Sequence, residues 1–328
     1  MVSSGAVKQN VRVAMIGAGH MSNYVHYPSL ASLSGVSIEA ICDLDSVRLN
    51  TTADKYSVQG RYEDYKKMVE AVAPDAVYVI GQPEVMFPIW VWCLKAGLNL
   101  YIEKPFGLTI HQARILAHLA DQYGCLTQVS FQRRSCPLVV QLYEACIKRG
   151  PVTHAVCRFY KNEIVASEGV RDHMMDDGVH AIDTLRWMCG GEVTRIHSVS
   201  RAVLVPDVNF ISAILEFDSG ATGMMVNSWS SGRRIFAVEI HAPGICVEAE
   251  HEVAGYLYAD GDTKGVRFDS CEVAGSDQLY VYGGFQAKSR EFIDCVRTGR
   301  LPASNFSDAL KTMEVAEKIL AQALLSGG

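Results

Sequence analysis

The 328-residue chain lacks a long hydrophobic run, an excess of basic residues and any Cys-x-x-Cys pair. Its most apolar stretch, residues 85–94, lies between Glu84 and Lys95 and is shorter than the roughly 20 residues that cross a bilayer. The 30 Lys and Arg residues against 36 Asp and Glu give a net charge of −6, which argues against binding to nucleic-acid phosphates. The sequence therefore predicts neither a membrane protein nor a nucleic-acid partner.

The sequence also lacks an apolar segment near its start and a cluster of metal ligands. Residues 1–10 are small and polar, so they predict a loose tail and not a secretion signal. The ten cysteines are scattered, mostly among apolar neighbours, which favours a reducing cytoplasm over a disulfide framework. No Cys/His group has the spacing of a zinc site. We therefore expect a cytoplasmic protein with no bound metal.

The first 130 residues alternate short apolar runs with longer amphipathic stretches. The apolar runs predict strands at Val11–Ile16, Val36–Cys42, 76–80, 99–102 and 127–131. The amphipathic stretches predict helices at 21–33, 45–56, 62–72, 85–96 and 110–123. Such alternation indicates an α/β domain in residues 1–130, with parallel strands joined by crossover helices into a doubly wound sheet.

Residues 131–328 have a different pattern, which predicts a second α/β domain with a large, mainly antiparallel sheet. Strands are predicted at 153–160, 193–203, 209–217, 221–229, 235–241 and 246–250. Helices are predicted at 137–148, 175–189, Phe285–Thr298 and 307–323. A hairpin turn, Phe217-Asp218-Ser219-Gly220, separates two of the strands.

A glycine-rich loop directly follows the first predicted strand. It reads Gly17-Ala18-Gly19-His20-Met21-Ser22, so Ser22 takes the third position of a G-x-G-x-x-G fingerprint. The first glycine permits a tight turn and the second lets the backbone approach a pyrophosphate at a helix N-terminus. A plain glycine turn is the alternative reading. The context of strand, loop and helix favours a Rossmann-type dinucleotide site.

Asp43 ends the second predicted strand, about 20 residues after the loop. A carboxylate at this position accepts hydrogen bonds from the adenosine ribose of NAD and repels the 2′-phosphate of NADP. Asp43 therefore favours NAD, while the nearby Arg48 keeps NADP open. The alternative role for Asp43 is helix capping.

Two further sites carry residues suited to proton transfer. Lys104, in Glu103-Lys104-Pro105, ends a predicted strand and could stabilise a developing alkoxide, or it could be a surface lysine paired with Glu103. Asp176 and His180 are four residues apart, with Asp183 one turn later, so they share a helix face. Histidine is a natural general base for an alcohol. The alternative is an ordinary charge pair on a solvated helix face.

Taken together, these motifs resemble the glucose–fructose oxidoreductase / inositol dehydrogenase (Gfo/Idh/MocA) family over roughly residues 11–323. The matching motifs are, in chain order, Gly17-Ala18-Gly19 with Val25-His26-Tyr27-Pro28, Cys42-Asp43-Leu44-Asp45, Glu103-Lys104-Pro105, Phe131-Gln132-Arg133-Arg134 with Pro137, Asp176-x-Gly178-x-His180-x-x-Asp183, and Phe217-Asp218-Ser219-Gly220-Ala221. Each motif alone is modest, but the ordered set is specific.

The resemblance implies hydride transfer between a sugar or cyclitol alcohol and nicotinamide. It implies that His180 is the acid/base, that Lys104 polarises the reacting oxygen, and that Asp176 orients the substrate or His180. It also implies a cis Lys104–Pro105 bond and a homodimer or homotetramer formed through the open face of the C-terminal sheet. The implied cofactor-binding residues are Gly17, Ala18, Gly19, His20, Met21, Asp43, Gln82, Pro83, Glu103 and Lys104.

The chain departs from the family pattern in two places. The family's T-P-x-x-x-H segment reads Gln82-Pro83-Glu84-Val85-Met86-Phe87 here, although Gln82 could still reach the nicotinamide ribose. The usual glycine-rich run before the dyad is Arg171-Asp172-His173-Met174-Met175. His173 could contact substrate, as could Tyr160 at a strand end, but a loop that bonds to itself is the competing reading.

Two other functions stay open at this point. An enzyme that keeps NAD bound could oxidise one carbon transiently, and so catalyse epimerisation or elimination without net redox change. A regulator that senses a sugar or a dinucleotide could use the same fold without catalysis. A regulator has no need of Lys104 and His180, so their presence favours an enzyme.

Overall fold

The computed structural model describes residues 9–166 and 171–325, so all but two residues of the predicted N-terminal tail lie outside it. The chain divides into two compact units. The first unit contains the chain up to Gly107, together with His111–Ser130 and Phe285–Ala309. The second contains Leu108–Ile110, Phe131–Gly284 and the residues from Leu310 onward. Residues 285–309, which the sequence placed with the second domain, therefore cluster with the first unit.

The first unit contains a six-stranded sheet in which every pair of neighbours is parallel, in the order β3-β2-β1-β4-β5-β6. Its strands are β1 (Val11–Ile16), β2 (Val36–Cys42), β3 (Gly60–Tyr62), β4 (Ala76–Val79), β5 (Leu100–Ile102) and β6 (Thr127–Val129). This arrangement confirms the predicted doubly wound sheet. Strand β3 was not predicted, and only its last residue lay within the predicted helix 62–72, because a three-residue edge strand is too short to show alternation.

Helices connect these strands as the amphipathic pattern predicted. They are a π-helical turn (Ser22–His26) that continues into α1 (Tyr27–Ala31), then α2 (Ser46–Lys55), α3 (Tyr65–Val72), α4 (Pro83–Lys95) and α5 (Ile110–Gln122). Aspartates start two of them: Asp45 accepts hydrogen bonds from the N–H groups of Val47 and Arg48, and Asp64 does the same at α3. These side chains satisfy amide groups that would otherwise lack partners at a helix start.

The second unit contains an eight-stranded sheet in the order β14-β13-β12-β11-β7-β10-β9-β8. Its strands are β7 (His154–Asn162), β8 (Val193–Arg201), β9 (Phe210–Phe217), β10 (Thr222–Ser228), β11 (Ser230–Ala242), β12 (Ile245–Glu250), β13 (Ala254–Ala259) and β14 (Val266–Asp269). Only the β7–β10 pair is parallel, so the predicted mainly antiparallel sheet is confirmed. Strand β13 and the four-residue edge strand β14 were not predicted.

The remaining helices are α6 (Pro137–Ile147), α7 (Val179–Cys189), α8 (Ser270–Ala274), α9 (Leu279–Tyr282), α10 (Phe285–Thr298) and α11 (Phe306–Leu325). Helix α7 packs against β7 and β10. Side chains alternate along β7, so Ala155, Cys157 and Phe159 are buried, whereas Val156 and Arg158 on the other face are half-buried. The sheet therefore has one face under a helix and one face that presents half-exposed side chains.

Helix α10 belongs to the first unit because of its apolar face. Phe292 is fully buried, and its ring centroid lies 5.7 Å from that of Tyr78 and 5.5 Å from that of Tyr101. Tyr78 and Tyr101 stack on each other with their centroids 4.3 Å apart. Burying these aromatic rings stabilises the packing of α10 on the first unit, although α10 lies about 155 residues beyond Ser130 in the chain.

Two properties follow from the described residues. None of the helices in the ranges 9–166 and 171–325 has the length and apolar character that crossing a membrane requires. All ten cysteines are free thiols, and eight of them are buried. Burial raises the pKa of several thiols, to about 12 for Cys42, Cys93, Cys157 and Cys189, so these four thiols are uncharged and unreactive at neutral pH.

Candidate active site

Gly17 makes the tight turn that the fingerprint requires. Its φ is +107°, and a Cβ atom at this position would lie 1.9 Å from the carbonyl oxygen of Ile80. No other residue fits there without moving the backbone. The Gly17 N–H donates a hydrogen bond of 2.8 Å to the carbonyl of Cys42, so the loop starts directly against the end of β2.

Two side chains fix the rest of the loop. The Asp43 carboxylate accepts a hydrogen bond of 2.7 Å from the N–H of Ala18. Asn23 donates hydrogen bonds of 2.9 Å to the carbonyl of Ala18 and 3.0 Å to the hydroxyl of Thr52. Sequence reasoning missed Asn23, although a polar side chain in the first turn after the glycines was an available signal. The loop is therefore held in place by groups of the protein itself.

An open cleft of ≈ 380 Å³ lies beside the loop. Its lining residues are Ala18, Gly19, His20, Asn23, Tyr24 and Arg48. A Cβ atom on Gly19 would meet nothing within 4 Å, and the buried Ser22 hydroxyl has no hydrogen-bond partner in the described structure. Open space over a glycine at the start of a helix fits the phosphates of a dinucleotide. His20 and Met21 are exposed at the start of the same helix.

Asp43 also determines the charge at the end of β2. Its other carboxylate oxygen accepts hydrogen bonds from the Asp45 N–H at 2.8 Å and from Arg48 at 3.1 Å. Arg48 lies 3.5 Å from the Asp45 carboxylate as well, so one guanidinium faces two carboxylates. The net charge of this group is negative, which disfavours an additional phosphate.

The Glu103-Lys104-Pro105 turn follows β5, and its Lys104–Pro105 bond is cis, as the resemblance implied. One Glu103 carboxylate oxygen lies 2.7 Å from Nε2 of the fully buried His26. The other accepts a hydrogen bond of 3.1 Å from the backbone N–H of Lys104. Glu103 therefore links a buried histidine to the backbone of the lysine, and the sequence motif that contains His26 gave no sign of this contact.

Gln82 and Pro83 begin α4 at the carboxyl end of β4. Pro83 occupies the first turn, where its missing N–H has no consequence. Gln82 is exposed, and its side chain makes no capping hydrogen bond. The Gln82 amide is therefore not used to cap α4, and its contact with the nicotinamide ribose stays a prediction.

The predicted helix over residues 175–189 has an unexpected start. A π-helical turn, Met174–Gly178, carries the half-buried Asp176 and precedes α7, in which His180 is only 5% exposed. The His180 ring lies edge-on to Phe131, with centroids 6.1 Å apart. The assumption of regular i, i+4 geometry between Asp176 and His180 was wrong, because a π-helical turn is wider than an α-helical turn. Such turns are frequent at functional sites.

Asp183, one turn after His180, is buried and forms an ion pair with Arg134. The Arg134 Nε donates a hydrogen bond of 2.8 Å to Asp183, and a second guanidinium nitrogen contacts the other carboxylate oxygen. Both residues are more than nine-tenths buried. This two-point pair holds α7 against the 3-10 turn Gln132–Ser135, and so fixes the helix that carries His180.

A second, partly buried charge group surrounds Asp177, the residue after Asp176. Asp177 forms an ion pair with Lys161, which also lies 3.3 Å from Glu163. The indole N–H of the buried Trp229 donates a hydrogen bond of 3.4 Å to Asp177. Sequence reasoning missed Asp177 as a partner of Lys161, because no local pattern connects a strand end with a helix start.

The remaining predicted contacts lie near this group. His173 is buried, stacks on Trp229 with centroids 4.8 Å apart, and contacts the carbonyl of Val165 through Nε2 at 3.2 Å. Tyr160 precedes Lys161 on β7, so alternation places it on the opposite face of the sheet from Asp177. Residues 167–170, in the loop expected to contact substrate, lie outside the described residues.

Two family models match most of the chain. The model for the oxidoreductase family with an NAD-binding Rossmann fold matches residues 11–131, and the Gfo/Idh/MocA C-terminal domain model matches residues 150–243. The chain belongs to the Gfo/Idh/MocA oxidoreductase family. The resemblance drawn from the motifs is thereby confirmed.

Several relatives of this Gfo/Idh/MocA chain are distant but match it along nearly its full length. The scyllo-inositol 2-dehydrogenase (NAD(+)) of Bacillus subtilis (strain 168) is 22% identical, over 94% of this chain and 93% of that protein. The rhizopine catabolism protein MocA of Rhizobium meliloti is 25% identical, over 93% of each. The crystal structure of a dehydrogenase from Chromobacterium violaceum shares the fold, with a TM-score of 0.87 and 21% identity over 97% of this chain and 96% of that one.

Membership in the Gfo/Idh/MocA family gives the loop of the first unit a defined class of ligand. The family model describes the matched region as an NAD-binding Rossmann fold, and that region contains the Gly17 turn and Asp43. The protein is therefore an oxidoreductase that uses a nicotinamide dinucleotide. Lys104 belongs to the first unit, and Asp176 and His180 belong to the second.

Proposed function

We propose that this oxidoreductase transfers a hydride between a secondary alcohol of a sugar or cyclitol and the nicotinamide of NAD. The proposal rests on the positions of two residues. Lys104 follows directly after β5, and His180 is buried in the first turn of α7. The name of the Bacillus subtilis relative, an inositol dehydrogenase, supports the class of substrate.

In the proposed mechanism the protein handles the proton and the charge on oxygen. His180 takes the proton from the substrate hydroxyl during oxidation and returns it during reduction. The Lys104 ammonium stabilises the alkoxide that forms as the proton leaves. Asp176 orients His180 or the substrate. Bound NAD supplies the acceptor for the hydride that leaves the carbon.

We propose Lys104, Tyr160, His173, Asp176 and His180 as the substrate contacts. The stacking of His173 on Trp229, which donates to Asp177, supports the assignment of His173, whereas the strand geometry that places Tyr160 on the opposite face of the sheet from Asp177 weighs against Tyr160. The Lys161–Asp177 pair holds the π-helical turn that carries Asp176, so we assign it a positioning role.

We propose NAD as the cofactor in preference to NADP. The carboxylates of Asp43 and Asp45 outnumber the Arg48 guanidinium, so a 2′-phosphate would meet a net negative charge. The residues assigned to the cofactor are Gly17, Ala18, Gly19, His20, Met21, Asp43, Gln82, Pro83, Glu103 and Lys104. Among these, Glu103 acts by holding the Lys104 backbone.

A screen of sugars, inositols and keto-sugars with NAD and NADP, in both directions, tests the function. We expect absorbance of NADH to rise with at least one alcohol, with NAD giving the higher kcat/KM. Equal or better rates with NADP would contradict the assignment of Asp43. Turnover of substrate without any change in free NADH would instead show the redox-neutral reaction, and no turnover with dinucleotide binding intact would favour a sensor.

We further propose that residues 1–130 bind the dinucleotide, and that residues 131–328 bind substrate and form a homodimer or homotetramer in the cytoplasm. The uncovered sheet face supports the assembly, because Ile214, Val199 and Tyr256 are large hydrophobic residues exposed on its strands. Light scattering should give two or four times the 36.0 kDa chain mass. An Ile214→Lys variant should shift the protein to the monomer, and a monomeric wild type would contradict the proposal.

A further inference from the structure

His26 is a buried histidine at the end of the helical turn that follows the dinucleotide loop. It is the last residue of the π-helical turn Ser22–His26, and its side chain is completely buried. Its Nε2 lies 2.7 Å from a carboxylate oxygen of Glu103. An ionised carboxylate has only acceptor atoms, so the Nε2–H of His26 donates this hydrogen bond and Glu103 accepts it.

Aromatic rings surround the rest of the His26 imidazole. Three rings lie edge-on to it, with centroids 5.5 Å away for Tyr101, 6.0 Å for Phe285 and 6.4 Å for Tyr78. The Nδ1 of His26 is buried and has no hydrogen-bond partner within residues 9–166 and 171–325. An apolar side chain would fill the same space without leaving a buried nitrogen unpaired, so packing alone does not account for a histidine here.

Glu103 uses both of its carboxylate oxygens. The oxygen that does not contact His26 accepts a hydrogen bond of 3.1 Å from the backbone N–H of Lys104. Glu103 is also buried, so a carboxylate that lost one of these donors would pay a large desolvation cost in its present position. The hydrogen bond from His26 therefore keeps the carboxylate in the orientation in which it holds the Lys104 backbone.

We infer that His26 is a positioning residue for Lys104. His26 fixes the Glu103 carboxylate, and that carboxylate fixes the backbone from which the Lys104 ammonium reaches the reacting oxygen. The π-helical turn that ends at His26 begins at Ser22, the last residue of the glycine-rich loop, so one short segment carries both the phosphate loop and the support of the lysine. The inference rests on the proposed function, because it needs Lys104 to polarise the reacting oxygen.

A double-mutant cycle between His26 and Lys104 tests the inference in the full-length enzyme, with the substrate that the screen identifies. His26→Leu removes the donor but keeps an apolar side chain among the rings. It should lower kcat by about 100-fold, with a smaller effect on the KM for NAD, because a small misplacement of a catalytic group costs about that much. In a Lys104→Ala background the same substitution should change kcat by less than about threefold, since no ammonium group remains to be misplaced.

Three further variants keep the cycle interpretable. His26→Gln retains an N–H donor for Glu103, so its kcat should return to within about tenfold of the wild-type value. Tyr101→Phe removes a hydroxyl that donates a hydrogen bond of 3.0 Å to Ser130 beside the same imidazole, and should leave kcat unchanged. If His26→Leu does not fold, Glu103→Gln replaces it in the cycle, because an amide offers one acceptor oxygen where the carboxylate offers two.

NMR spectroscopy of the full-length protein containing isotope-labelled histidine tests the hydrogen bond without any substrate. His26 should give a slowly exchanging Nε2–H resonance, because this group is buried and bonded to Glu103. The absence of that resonance in His26→Leu, or in His26→Gln, assigns it. The resonance should persist in Lys104→Ala, because neither contact of Glu103 uses the lysine side chain.

The inference is overturned if His26→Leu keeps full activity, if kcat falls by the same factor in both backgrounds, or if His26 gives no Nε2–H resonance. An equal loss in both backgrounds would show that the histidine acts on the fold and not through Lys104. A low rate in Lys104→Ala together with a wild-type rate in His26→Leu would remove His26 alone and leave the proposed function standing. Full activity in Lys104→Ala would instead contradict the role of the lysine in the proposed function itself.

Discussion

Replacing Lys104 with alanine should lower kcat by about a thousandfold while changing affinity for the dinucleotide far less, because Lys104 is one of ten residues assigned to the cofactor. The expected loss is large because the ammonium group stabilises charge that develops on the substrate oxygen only during the reaction. The backbone of the turn should survive, since Glu103 contacts the Lys104 N–H and His26, and neither contact uses the lysine side chain. Steady-state kinetics and a fluorescence titration with NADH measure the two quantities.

Matched lysine variants sharpen this test. Lys95→Ala removes an exposed lysine from the last turn of α4 and should leave kcat unchanged. Lys104→Arg keeps the positive charge but changes its shape, so we expect partial activity. Full activity in Lys104→Ala would show that the lysine does not polarise the reacting oxygen, whatever its place in the family motif.

Replacing His180 with asparagine should lower kcat by about a hundredfold to ten-thousandfold and remove the pH dependence that an imidazole confers on alcohol oxidation. The wild-type rate should fall on acidification, because a protonated imidazole cannot accept the proton of the hydroxyl. In His180→Asn this limb of the pH–rate profile should be absent. The measurement is kcat/KM between about pH 5 and pH 9, with saturating NAD.

A folding control accompanies the His180 variant, because His180 lies in the buried helix α7. The Arg134–Asp183 pair that holds α7 is untouched by this substitution, so the melting temperature should change little. His111→Asn, at an exposed position on α5, should leave the rate and its pH profile as in the wild type. A His180→Asn enzyme with an unchanged acid limb would assign the base to another residue.

The strong periodic signals of the sequence account for most of the fold. Strand β4 is a continuous apolar run, β1 is apolar except for Arg12, and the amphipathic stretches between the strands form the helices. Strands β3 and β14 were missed because edge strands of three and four residues bury too few side chains to show a period, and β13 was missed because only its first two residues are buried. The two π-helical turns were missed because one extra residue in a turn leaves no mark in composition.

In the candidate site, as in the fold, the sequence predicted some features and missed others. Gly17, Asp43, Lys104 and His180 were recognisable because each stands at a fixed offset from a strand or helix end. The residues that support these four were not recognisable, because their hydrogen-bond partners lie far away along the chain. His26 meets Glu103 across 77 residues, and Trp229 meets Asp177 across 52.

Local order along the chain was enough to identify the two α/β domains, the dinucleotide loop and the family, because those features depend on spacing between near neighbours. Three-dimensional packing assigned α10 to the first unit and gave Asp183 its partner. It also buried Arg133 against the rings of Phe236 and Phe159. Burial and charge matching depend on which distant segments come together, and no local pattern records that information.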